Sequence, residues 1–178
     1  MNILITYHNG LFARMGGSRS NDWILTTLAR FAFAAVLLRF FWASASTKLD
    51  GLFTLSIGAY AQILPKKFES LGYDPSQLSF LDTLIVLAGT YGEFILPLLI
   101  VVGLLTRLAS VGMIGFIVVM SIVDVTGHGV DAATFGAWFD RDSGSLILDQ
   151  RLLWATLFVT LFLKGAGPIS VDRVLRIT

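Results

Sequence analysis

Apolar residues run almost unbroken through four stretches of the chain, 24–46, 81–104, 108–125 and 146–163, with polar residues gathered mostly between them. A hydrocarbon core of ~30 Å takes about 20 helical residues to cross, and each stretch is close to that length. The pattern predicts an all-α fold, an integral membrane four-helix bundle with an interfacial helix between spans 1 and 2. Only Leu105, Thr106 and Arg107 join the second span to the third, so these two are antiparallel neighbours. The connection 49–80 is not a span. Its apolar part, 51–64, is too short and holds Gly58 and Gln62, which suits the membrane interface. Pro65 then opens a short amphipathic segment, 66–71, closed by Gly72. The connection 127–145 carries four glycines with Trp138 and Phe139, and reads as a folded cap.

One membrane domain, 23–165, therefore lies between two tails, 1–22 and 166–178. The first 22 residues lack the apolar run of a cleavable signal and read as an extramembrane lead-in. Arg14, Arg19, Arg107, Lys164, Arg173 and Arg176 fall on one side of the bundle. Lys48, Lys66, Lys67 and Arg141 fall on the other, with Arg151 just inside a span. The positive-inside rule then predicts both termini in the cytoplasm.

Composition agrees with the pattern. Of 178 residues, 55% are hydrophobic and 14% charged, against about 25% charged in a soluble domain. Lipid must cover what one core cannot, so the bilayer is the first partner. A net charge of +1 provides no basic face for nucleic acid. The chain has no cysteine, which excludes disulfides, thiolate zinc, iron–sulfur clusters and covalent CxxCH haem. Its two histidines are His8 and His128, and a bis-histidine haem would require the polar tail to enter the membrane. No metal site is expected. Nucleophile elbow, P-loop, HExxH and dinucleotide fingerprints are missing too, so catalysis by the chain alone has no motif behind it.

The informative residues are the charges inside the spans, where each costs about 2.5–3.5 kcal/mol on insertion scales and needs a partner or a purpose. They are Arg30, Arg39, Glu93, Asp124 and Arg151, with Lys48 and His128 at span ends. Glu93 lies midway along its span, ~18 Å from either edge. Pro97, four residues on, removes the amide that would bond the Glu93 carbonyl, so a carboxylate and a freed carbonyl share one depth. Gly89 and Thr90 sit one turn earlier. The ordinary alternative is an ion pair with an arginine of the first span.

At about 100° per residue, Arg30, Leu37, Phe41, Ser44 and Lys48 share one face of the first helix, and Arg39 points the opposite way. Either Arg39 pairs with Glu93, or the Lys48 face lines the site and Arg39 meets another helix or subunit as a structural charge. We take the second arrangement as the expectation. Arg30, near the span's end, is expected to snorkel. In the third span Asp124 and His128 lie four apart with Ser121 one turn before, so an Asp–His pair in an outward pocket is expected. Lys48, Glu93, Asp124 and His128 are thus the candidate ligand-binding or proton-handling residues. Trp23, Trp42 and Trp154 sit near span ends, as an aromatic belt would place them; Trp138 belongs to the outer cap.

Several segments together resemble the DoxX-like family of small four-helix bacterial membrane proteins. They are Phe41-Trp42-Ala43-Ser44-Ala45-Ser46-Thr47-Lys48, Phe68-Glu69-Ser70-Leu71-Gly72, Gly92-Glu93, Gly103-Leu104-Leu105-Thr106-Arg107, His128, and Gly167-Pro168-Ile169-Ser170-Val171-Asp172-Arg173. The resemblance covers roughly residues 25–175, and the turn ending in Arg107 is its most specific piece. It implies a bacterial cytoplasmic (inner) membrane location and Lys48, Glu93 and His128 as the family's polar positions. It also implies association with redox complexes, thiosulfate:quinone oxidoreduction among them, or with metal-related peptide maturation. Arg39, Asp124 and the aspartate-rich cap depart from the family. Three functions follow as expectations. The first is a redox-associated subunit holding a quinone or similar lipophile near Glu93, with other protein subunits or as a homo-oligomer. The second is a non-catalytic scaffold for soluble partners, and the third a small oligomeric transporter.

Overall fold

The computed structural model describes residues 22–177 of the chain. Except for Asp22, the lead-in expected over 1–22, with His8, Arg14 and Arg19, lies outside the described residues. Four helices are long and apolar enough to cross a membrane: α1 (Asp22–Ser46), α4 (Phe80–Val102), α5 (Thr106–His128) and α7 (Leu146–Lys164). Between α1 and α4 lie α2 (Ile57–Ile63) and α3 (Pro65–Ser70); α6 (Ala132–Phe135) sits in the second connection and α8 (Val171–Leu175) follows the last span. The chain is a multi-pass membrane protein, and the spans form a closed up-down ring in which α1 packs on α4 and α7, and α5 packs on the same two. Leu28, Phe31, Val36, Leu108 and Leu153 stand exposed on the outside of that ring, where lipid covers them.

The core of the ring is aromatic. Phe33 meets Phe158 edge-on at 5.5 Å, and Phe41 lies 6.0 Å from Phe116 and 6.1 Å from Trp154. Trp154 is thereby part of the packing rather than of an interfacial belt. Thr26, Ala29, Phe33, Leu37, Phe41 and Ala45 of α1 are all buried. Successive four-residue steps over-rotate a regular α-helix by about 40° each, which would carry this stripe off the core. A π-turn at Ala34–Leu38 takes up one extra residue and brings the stripe back.

The ends of the spans are fixed by polar contacts. Ser79 and Asp82 form a reciprocal capping box at the start of α4, and Lys67 of α3 bonds both oxygens of Asp82 at 2.8 and 2.7 Å. At the opposite face, the Asp172 carboxylate accepts the Leu105 and Thr106 amides at 2.6 and 2.9 Å, capping α5 from a segment 66 residues later in the chain. Arg30 does not snorkel. Its guanidinium donates to the carbonyls of Ile100 (3.0 Å), Val101, Ala166 (3.1 Å) and Ile169, tying α1 to the end of α4 and to the segment after α7. A planar fork with five donors suits this arrangement, and a cation at a helix C-terminus is favoured by the macrodipole.

Gly103 makes that junction possible. It has φ +68°, and a Cβ there would stand 2.6 Å from Ser170 Cβ and 2.9 Å from the Arg30 guanidinium carbon. Gly103→Ala should therefore lower stability by about 2–4 kcal/mol, combining left-handed strain with overpacking. Gly115, whose Cβ position is open, serves as the control. Gly115→Ala should be neutral or stabilising by up to about 1 kcal/mol. Unfolding titrations in detergent micelles would check both, and equal effects would contradict the steric account.

Candidate functional site

Lys48 follows α1 by two residues, and its backbone is bonded into the turn that leads to α2. Its side chain reaches Glu93 of α4, Nζ to Oε2 at 2.8 Å, with side-chain exposures of 5% and 6%. Ser44 completes the unit: its hydroxyl accepts from Lys48 Nζ at 2.7 Å and donates to Glu93 Oε1 at 3.2 Å, and its carbonyl takes a further Lys48 bond at 3.3 Å. Charge and hydrogen bonding are both satisfied, which a buried pair requires. Trp42 bonds the carbonyl of Phe94 at 3.2 Å, one residue beyond the carbonyl that Pro97 frees.

The second cluster forms on the α5–α7 side. Arg151 pairs with Asp124 through Nη2 and donates from Nη1 to Ser121 Oγ at 2.8 Å. The Asp124–His128 pair expected from their spacing does not form. Residues Val123–His128 form a π-turn, and its changed rotation removes the regular i,i+4 register on which the expectation rested. His128 Nε2 instead lies 3.1 Å from the carbonyl of Gln62 in α2. A carbonyl only accepts, so Nε2 is the donor in this contact and Nδ1 is left without a partner among the described residues.

Both ion pairs and Ser44 line one cavity of about 330 Å³, which also takes in Gln62, Gly89, Phe40, Phe116 and Met120. All four sequence candidates, Lys48, Glu93, Asp124 and His128, border it. Arg151 borders it too, although the sequence offered no reason to place it there; its one signal was being a charge inside a span. Gln62 and Ile63 of the α2–α3 corner form one wall of the cavity. Ile63 stands 3.1 Å from where a Cβ on Gly89 would be, and Pro65 2.5 Å from where one on Gly127 would be, so two glycines let this corner seat on α4 and α5.

Arg39 is elsewhere. It is exposed on the outer side of α1, with no hydrogen bond or ion pair among the described residues. Trp138 bonds the Leu148 carbonyl at 3.2 Å and covers the α5–α7 seam, not the cavity. No cluster of three or more His, Cys, Asp or Glu able to hold a metal occurs among the described residues.

One polar atom of the site is unsatisfied. Arg151 Nε is buried without a hydrogen-bond partner, although both terminal nitrogens of the same guanidinium are engaged. A buried donor left unpaired costs about 1–3 kcal/mol, a cost carried by the packing around Arg151, since the atom is closed to solvent.

The family model DoxX matches residues 25–128, more than half of the chain and including Lys48, Glu93, Asp124 and His128. No curated protein and no solved structure matches the chain. The chain belongs to the DoxX family.

Proposed function

We propose that this DoxX-family bundle is the membrane subunit of a redox complex and holds a small carbonyl-bearing lipophile, a quinone, between its two ion pairs. The mostly apolar cavity bordered by both ion pairs carries this reading. A quinone carbonyl is an acceptor for the cationic wall formed by Lys48 and Arg151, and Phe116 and Met120 offer flat and polarisable surfaces to its ring. The volume of about 330 Å³ is within the range of small-ligand sites. Electrons come from a partner oxidoreductase subunit. His128, with Nε2 held by Gln62, offers Nδ1 for proton exchange at the end of α5. The location we favour is the bacterial inner membrane with both termini in the cytoplasm, supported by the Lys and Arg distribution.

Arg151→Lys provides the test. It keeps a cation for Asp124 but removes the planar guanidinium from the cavity wall. Binding of a short-chain ubiquinone to the protein in nanodiscs should weaken about tenfold, or ~1.4 kcal/mol, while Arg39→Gln leaves it unchanged. Equal affinity of Arg151→Lys and the unmodified protein would sink the proposal.

A second reading, a non-catalytic scaffold, is favoured by Arg39 alone, a charge on the lipid-facing side that a neighbouring subunit would neutralise. Under it, Arg39→Gln would shrink the native complex on a blue-native gel, and quinone would not bind at all.

A further inference from the structure

On the face that carries Asp22 and α8, far from the cavity just described, three cations border one cleft of about 640 Å³. They are Arg107 in the first turn of α5, Lys164 at the end of α7 and Arg173 of α8. The carboxylates nearby are committed. Asp172 spends both oxygens on the Leu105 and Thr106 amides, and Asp22 takes Lys164 at 3.1 Å. Arg107 and Arg173 have no carboxylate partner among the described residues. Arg107 also occupies the first turn of a helix, where the macrodipole disfavours a cation. One of its nitrogens donates to the Phe162 carbonyl at 2.9 Å, which anchors the guanidinium at the cleft and leaves its other donors available.

The wall also carries apolar side chains that stand exposed. Trp23, Leu105 and Leu108 border the cleft at 45%, 42% and 67% exposure. A cleft that combines excess positive charge with exposed apolar side chains matches an amphipathic anion at the membrane surface. Guanidinium groups bind phosphate oxygens through paired donors. We propose that this cleft binds the phosphate of an anionic phospholipid, Arg107 and Arg173 holding the headgroup while an acyl chain runs along Leu108 and Trp23. The site is independent of the quinone reading.

The test uses the full chain in nanodiscs of mixed phosphatidylglycerol and phosphatidylcholine, with retained lipid counted by native mass spectrometry. The protein should keep phosphatidylglycerol in preference to phosphatidylcholine. The double variant Arg107→Gln/Arg173→Gln should lose that preference at least tenfold. Lys66→Gln, an exposed cation on the other face, should retain it. Unchanged unfolding temperatures in the same nanodiscs separate lost lipid from lost fold, because Arg107 and Arg173 are both exposed. A double variant that retains phosphatidylglycerol overturns the proposal, as does a protein that does not discriminate between the lipids. Inorganic phosphate added to phosphatidylcholine-only nanodiscs distinguishes the source. Saturable binding there, equally abolished in the double variant and displaced by no lipid, would make the ligand a soluble anion and overturn the lipid assignment.

Discussion

Glu93→Gln is expected to destabilise the bundle by about 3–5 kcal/mol, one of the largest effects of any single substitution in this chain, although glutamine has nearly the same shape. The cost arises on the partner. Lys48 is 4% exposed, and its ammonium is held by Glu93 and by Ser44 alone. An amide leaves that charge buried without a counter-ion, and breaking one side of a buried pair carries a penalty of this size. The double variant Lys48→Met/Glu93→Gln removes the charge as well and should recover most of the loss, because an apolar side chain in this volume has no desolvation to repay. Thermal or denaturant unfolding in lipid nanodiscs would measure all three proteins. If the double variant were as unstable as Glu93→Gln, coupling between the two charges would not be the source of the effect. The same set separates structure from function. A restored fold that still fails to bind quinone assigns the pair to the ligand, whereas restored fold with restored binding confines it to support.

Arg30→Met should cost at least about 3 kcal/mol and should loosen the segment 166–177 before the spans open. Four carbonyls lose a charged donor at once, two at the end of α4 and two beyond α7. Each buried carbonyl left unpaired costs about 1–3 kcal/mol, less where water can reach it. Arg30→Lys tests the geometry. It keeps the charge at the helix C-terminus, but three tetrahedral donors on one nitrogen do not span two chain segments as a planar fork does. Lysine should therefore recover less than half of the loss. Proteolytic cleavage within 166–177, followed against unfolding of the whole bundle, reads both effects. A lysine variant as resistant as the unmodified protein would assign the contribution to charge alone.

The spans were legible because their signal is local. Twenty apolar residues and a three-residue turn need no knowledge of distant contacts, and the observed helices begin and end within three residues of the apolar stretches. The face carrying Ser44 and Lys48 was legible for a related reason. Leu37 and Phe41 mark the inner side of α1, and a regular helical wheel sets Arg39 opposite them. What a wheel lacks is a change of period. The π-turn at Val123–His128 separates two residues whose spacing suggested a pair, and each finds a partner far away in sequence: Asp124 takes Arg151, 27 residues on, and His128 takes Gln62, 66 residues back. Arg151 and Arg30 were hard to place for the same reason. Nothing in the residues beside them names a carbonyl or carboxylate contributed by another span.

The Arg30 junction also orders events in time. Two of its acceptors, the Ile100 and Val101 carbonyls, exist once α4 has been made, but the Ala166 and Ile169 carbonyls come 136 and 139 residues after the arginine itself. Until that segment is made, the guanidinium can reach only the two carbonyls of α4. The residues after α7 then act as a latch, and a chain released before they emerge would have all four spans packed in the ring but the junction of α1 with the end of α4 unpinned.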